Sequence, residues 1–353
     1  MSQSLRLTRR CGISIPLLAF TMHASGATFC AHTAAEIQAD LTAAQADGEN
    51  DIVKIVNGNY VLASGLTFVS TEAKYLEIAG GFNNASCTGS ADLAGSGTSL
   101  DGNHLVRPLY VANPNGSVRV SGLTFVAGRP ASGNSGGGLL IAGSDYAYVE
   151  FNRFYDDRTT GSFAQGGAAL VVAASGGEID NNLAVGNRGT LVGGMVLSGG
   201  GFDVYNNTIV SNTTDTLTTP GGMFITGTDK SNLFNNIVWN NAAAGGSDFG
   251  TNAANDRYTN DIGSVTPGSI APGVLTGELS VDPGFASCGF VCLDFPLAPS
   301  SPLVNTGTDS YTPGGPPILN ETDLVGQPRY IGRHIDIGAY ESDRLFANGF
   351  EGP

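Results

Sequence analysis

The sequence is poor in positive charge, in histidine and in long apolar runs. Sixteen Lys and Arg stand against 31 Asp and Glu among 353 residues. An N-terminal stretch bearing Arg6, Arg9 and Arg10, then an apolar run from Ile13 to Met22, then Ser25-Gly26-Ala27 reads as a secretory signal peptide over 1–27, too short to span a membrane. Its removal takes three arginines and no acids, leaving 13 basic and 31 acidic side chains and a net charge of about −18. Such a surface excludes nucleic acid and anionic lipid as natural partners. No later segment approaches 18 uninterrupted apolar residues, so no transmembrane span is expected in the mature chain. Four histidines without paired spacing argue against a zinc site, and no phosphate loop, Ser-His-Asp set, EF-hand or nonapeptide calcium pattern occurs. No cofactor is therefore expected; calcium is possible chemistry for so acidic a chain but has no motif behind it.

Glycine and asparagine are abundant instead. Fifty-one glycines are about twice the usual share of roughly 7%. The asparagines recur in register. "VYNNTIVSNTT" places Asn206, Asn207 and Asn212, "IDNNLAVGNRG" places Asn181, Asn182 and Asn187 at the same offsets, and "LFNNIVWNNA" places Asn235, Asn236 and Asn241. A weaker copy, "EFNRFYDD", has Asn152 and Asp157 in the second and third polar places, and "VSGLTFVAG" keeps only the apolar part. Glycine pairs followed by short apolar runs lie between the copies, at 137, 166, 193 and 221.

Two short apolar runs per period of 25 to 30 residues leave no room for a helix within the repeat. The period fits one coil of a parallel β-helix, with coils stacked about 4.8 Å apart. Burying an unpaired amide costs about 1–3 kcal/mol, but an amide carries both donor and acceptor. Identical asparagines one coil apart can therefore satisfy each other in a ladder. Glycines would supply positive φ where one coil face turns into the next. The expected fold is all-β, a right-handed parallel β-helix over 28–300, with regular coils over about 116–245.

The chain before and after these coils is less regular. Thr33 and Glu36 stand at capping-box spacing, with Ile37 and Leu41 on one face, predicting a short amphipathic helix that ends near Gly48 and covers the first coil. Residues 246–280 read as a long loop or degraded coils. Residues 301–342 read as a proline-containing C-terminal cap region with a last strand in "HIDIGAYE" at 334–341, and 343–353 as a separate tail. Of five cysteines, Cys11 leaves with the signal peptide; Cys288 and Cys292 are close enough to bridge, which leaves Cys30 to pair with Cys87.

The glycine-pair elements and the apolar-x-x-Asn elements ending at Asn187, Asn212 and Asn241 resemble the repeats of polymorphic outer membrane proteins and related right-handed parallel β-helix proteins. "DPGF" at 282, "SPLVNTG" at 301, "TDLVGQPR" at 322 and "DIGAYE" at 336 resemble the C-terminal region of the secreted bacterial proteins called the choice-of-anchor Q group. "LFANGFE" is similar to a tail found on secreted proteins of some Gram-negative bacteria. The resemblance implies a pectate-lyase-like solenoid, secreted or held on the outer surface of a Gram-negative bacterium.

Catalytic chemistry on such a solenoid would act on polysaccharide. A uronate lyase needs a cation beside the substrate carboxylate and a base for the α proton. Arg158 and Arg188, following Asp157 and Asn187 one coil apart, form the candidate group with Asp157. The bland alternative is an Asp-Arg ladder at a turn. A glycosidase needs two carboxylates about 5–10 Å apart, and Glu150 and Asp180 occupy equivalent places in adjacent coils. Solvated acids on an acidic protein are the alternative there. Asp101, Asp323 and Asp336 read as turn residues, and Trp239 as core or lateral packing. The leading expectation is a non-catalytic monomeric scaffold for adhesion or contact with extracellular glycan or another cell-surface component, with a polysaccharide lyase or glycoside hydrolase acting on acidic polysaccharide as the alternative.

Overall fold

The computed structural model describes residues 26–93, 97–241, 246–287, 294–311, 321–330 and 333–342. Among them, three long sheets run the length of the molecule. Sheet I has ten strands, from Thr28–Ala31 to Leu275–Thr276; sheet II has eight, from Gly58–Val61 to Asp261–Ile262; sheet III has seven, from Leu66–Val69 to Phe249–Thr251. The chain visits I, II and III in turn and starts again, so neighbours in each sheet come from successive coils. Their pairing is parallel throughout. The architecture is a right-handed parallel β-helix of about eight turns. No helix among the described residues is long and apolar enough to cross a membrane.

Alternation along each strand sends one set of side chains into the coil, and register stacks them in columns. Val53, Ile78, Val120, Val149, Ile179, Val204 and Leu233 form the column behind sheet I. Phe125 stacks on Phe154 at 4.9 Å behind sheet II, followed in register by Ala184, Ile209 and Val238. These residues are buried to 1% exposure or less. Beyond Leu233 the sheet I column continues into Arg257 and then the exposed Leu275; the Arg257 guanidinium lies 5.8 Å from the Phe249 ring centre and pairs with Glu278 at 3.0 Å. An arginine stem thus covers the last buried apolar layer while its head stays paired.

The second and third asparagines of each repeat form two internal ladders, as the spacing predicts. In the first, Nδ2 of Asn152, Asn182, Asn207 and Asn236 each donates to Oδ1 of the next rung, ending at Asn260, over 2.8–3.2 Å. Each Oδ1 also accepts the backbone N–H of the rung before it, as Asn207 does from Asn182 at 3.0 Å. In the second ladder Asn187, Asn212 and Asn241 follow the same scheme, with Asp157 at one end and Asp248 at the other. All of these asparagines are fully buried.

The first asparagine of each pair behaves differently. Asn181, Asn206 and Asn235 have φ of 52°, 54° and 54° and make the corner between sheets I and II, pointing away from the ladders. These left-handed corners are held by asparagine, the non-glycine residue that tolerates them best. The later glycine pairs serve another purpose. A Cβ on Gly194 would lie 2.1 Å from the Gly222 carbonyl oxygen, so glycine there allows coil-to-coil backbone contact.

Helix α1 spans Ala34–Ala43 and ends earlier than the sequence suggests, at Ala44, whose N–H bonds to the Asp40 carbonyl. Thr33 caps it, accepting the Glu36 N–H at 3.1 Å, while Glu36 accepts the N–H of His32 at 2.7 Å. Ile37 and Leu41 are buried on the first coil. Gln38 completes the edge: its amide donates to the Thr67 carbonyl at 2.9 Å and accepts the Thr67 N–H at 2.8 Å, as a neighbouring strand would. The Cys30–Cys87 disulfide ties the first strand of sheet I to the loop after Phe82. Cys288 and Cys292, most of the leader and the 343–353 tail lie outside the described residues.

Strands run from Thr28–Ala31 to Leu275–Thr276, so coils continue on both sides of the regular 116–245 stretch, within the 28–300 span expected for the β-helix. The expected strand at 334–341 is absent. That segment belongs to a C-terminal return that runs back along the outside of sheet II. Leu297, Leu303, Val304 and Ile337 cover Val210 and Ile237, while Leu324, Ala339 and Tyr340 cover Tyr155 and Leu183. Trp239 packs laterally against the first of these clusters. The corner asparagines anchor the return: Asn235 donates to the Thr308 carbonyl at 3.0 Å and accepts the Thr308 N–H at 2.8 Å, Asn206 donates to Tyr311, and Asn181 accepts from Arg329.

Candidate acidic cleft on sheet I

The structure separates the sequence-derived candidates. Arg158 and Arg188 do stack, bridged across adjacent coils. Arg188 turns to Asp215, at 2.6 Å, so it pairs at a turn rather than facing a groove. Asp157 does not join them. It is fully buried, accepts the Gly128 N–H at 2.7 Å, and terminates the second ladder; burial pushes its carboxyl well above the usual range. A buried ladder terminus cannot reach a sugar chain. Asp101 accepts the Asn103 N–H at 2.7 Å, a turn role. Asp323 and Asp336, also buried, organise the C-terminal return by accepting the backbone N–H groups of Val325, Gln327 and Glu341, and of Asn305 and Ser342.

Glu150 and Asp180 fare differently. They are registered partners on adjacent strands of sheet I and line an open cleft of ≈ 350 Å³. Alternation explains why. Tyr148 and Glu150 point out of one strand, Glu178 and Asp180 out of the next, and Tyr205 out of the third, giving the outward row Glu150, Asp180, Tyr205, Phe234. Arg119 stands one coil earlier, and Glu321 with Thr322 forms the opposite wall from the C-terminal return. Glu321 accepts from the Tyr311 hydroxyl at 3.2 Å, and Tyr311 stacks on Tyr205 with ring centres 4.0 Å apart.

The electrostatics are lopsided. Arg119 pairs with Glu150 at 2.5 Å, and no other cationic side chain among the described residues lines the cleft. Burial raises the carboxyls of Glu150, Glu178 and Glu321, with Arg119 opposing the shift at Glu150. Asp180 is pushed well above the carboxylate range by burial and then by repulsion from Glu150. Its Oδ2 accepts from Asn181 at 2.7 Å, whereas its buried Oδ1 has no hydrogen-bond partner. No three His, Cys, Asp or Glu among the described residues group closely enough to hold a metal ion.

Glu178, Tyr148, Tyr205 and Arg119 were legible in principle, since they occupy outward positions on strands paired in register with those of Glu150 and Asp180. Glu321 was not, because no local pattern brings residue 321 beside residue 180. Residues 93–262 match the protein-family model described as right handed beta helix region, which spans the regular coils. No curated protein and no solved structure matches the chain.

Proposed function

We propose that the protein is an exported, surface-exposed or extracellular β-helix scaffold of a Gram-negative bacterium that contacts glycan through the sheet I cleft, without turning it over. The observation that carries this reading is the cleft itself, where Tyr148 and Tyr205 stand among Glu150, Glu178 and Asp180 on an otherwise regular solenoid. Aromatic faces beside hydrogen-bonding carboxylates suit a sugar ring, which has an apolar face and a rim of hydroxyls. The arginine-rich leader, the Cys30–Cys87 disulfide and the tail favour export. The separation of Asp157 from Arg158 and Arg188 favours a non-catalytic role over the lyase formed by those residues. Binding of purified residues 28–353 to a glycan array tests the reading. Retention on a defined oligosaccharide, lost in Tyr205→Ala, is expected; an array silent for the folded protein would refute it.

One observation favours a second reading. Glu150 and Asp180 are carboxylates one rung apart, the first paired with a cation and the second held toward its neutral form. A glycosidase divides its labour between two carboxyl groups in this way, at about 5–5.5 Å when the mechanism retains configuration. Reducing ends released from a bound oligosaccharide, and abolished in Glu150→Gln, would replace the scaffold reading with a hydrolase.

A further inference from the structure

We infer that the ligand class of the sheet I cleft is a cationic glycan, an oligosaccharide of amino sugars whose amines are free and protonated. This rests on the cleft being a glycan contact and narrows the sugar that enters it. Four carboxylates converge there, from three elements distant in sequence: Glu150, Glu178 and Asp180 from adjacent strands, and Glu321 from the C-terminal return. Four donors around them are already committed. Arg119 is given to Glu150, Asn181 to Asp180, the Tyr205 hydroxyl to Glu178 and the Tyr311 hydroxyl to Glu321. What remains is an excess of acceptors, and of negative charge wherever these groups are ionised.

Asp180 makes that excess specific. It lines the cleft, is only 4% exposed, and its Oδ1 is buried without a donor. A neighbouring amide would have satisfied it, as amides do throughout the ladders, but its registered neighbours outside the coil are Glu150 and Tyr205. An ammonium group supplies three donors and a full positive charge, and the cleft's aromatic side already attracts one cation, the Arg119 guanidinium 5.9 Å from the Tyr148 ring centre. A uronate would bring a further carboxylate into a cleft already short of cations. The cavity of ≈ 350 Å³ lies within the usual roughly 300–1,000 Å³ of small-molecule sites.

Calorimetric titration of the full mature chain tests this with four probes: a glucosamine tetramer, an N-acetylglucosamine tetramer, a galacturonate tetramer and spermidine. The glucosamine tetramer is expected to bind most tightly, at least tenfold above its N-acetylated form, and to lose at least tenfold in affinity in Asp180→Asn and Glu178→Gln. Circular dichroism verifies that both variants are folded. Equal or tighter binding of the N-acetylated or galacturonate tetramer would overturn the inference while leaving the cleft a glycan contact. Binding of spermidine alone, or silence to all four, would overturn the inference, and the glycan array separately decides the glycan reading.

Discussion

Two polar columns run along the same coils and obey opposite rules. Asn182, Asn207 and Asn236 stack inside, each amide donating to the next and accepting from the backbone before it. Glu150 and Asp180 stack outside at the same rung spacing, yet two ionised carboxylates have only acceptors to offer each other. An amide column is self-sufficient and can be buried; an acid column needs donors from elsewhere, here Arg119 at Glu150 and Asn181 at Asp180. A repeated fold therefore marks its site where stacking fails to satisfy the stacked groups.

The largest expected effect breaks the inner column. Asn207→Ala would orphan the backbone and side-chain donors of Asn182 and the carbonyl of Ile179. At about 1–3 kcal/mol per orphaned buried group the total is ~4 kcal/mol, visible as a lowered urea midpoint. An unchanged midpoint would show that the ladder is ornamental. Next is Arg329→Ala, which removes the donor to Asn181 and to the Gly338 carbonyl, 2.8 Å away, and the partner of Glu341. At about 1–3 kcal/mol for each buried acceptor left unpaired, the loss is about 2–6 kcal/mol. It should appear as early proteolysis within 281–342, with the coils still protected; uniform cleavage along the chain would disprove the separation of return from solenoid.

A smaller change would turn the outer column into a copy of the inner one. Asp180→Asn supplies an amide donor to Glu150 and should stabilise the fold by about 1 kcal/mol, raising Tm by about 2–4 °C. A fall in Tm would mean that the acid is already satisfied. The smallest effect is the response to pH. Burial raises Asp51 and Asp261 from 3.8 to about 6 and Glu341 from 4.5 to about 9. Because the folded chain holds these protons more tightly than the unfolded one, the stability they confer is full below about pH 4. It is lost progressively up to about pH 6 for the two aspartates and up to about pH 9 for Glu341. Tm should therefore rise as pH falls from 8.5 toward 5, and a flat or opposite profile in that window would contradict the shifts.

How much was legible follows from the same contrast. The coils, both ladders and the capping helix could be read because each is fixed by neighbours in sequence or by a repeat of constant length. The asparagine pair was only half readable. Asn206 and Asn207 are identical in type, but one takes a left-handed corner and the other the ladder, and backbone φ separates them. The C-terminal return escaped because its register is set by tertiary contact. Gly338 illustrates this: at φ 104° it donates to the Asn235 carbonyl, and a Cβ there would lie 2.6 Å from Ile237 Cδ1. The glycine in "DIGAYE" thus serves close approach to sheet II rather than a strand of its own. The cleft was readable on its sheet I side and invisible on its Glu321 side for the same reason.

Arg329 reaches Asn181 across 148 residues of chain, whereas neighbouring coils meet within about thirty. Growth of the solenoid can therefore proceed coil by coil as the polypeptide emerges, each layer templated by the one before it. The return can dock only after that stack exists, and with it arrive Glu321 and Thr322. The order of events makes the cleft the last part of the molecule to be completed. A chain halted after its coils would therefore lack the wall that Glu321 and Thr322 give the cleft.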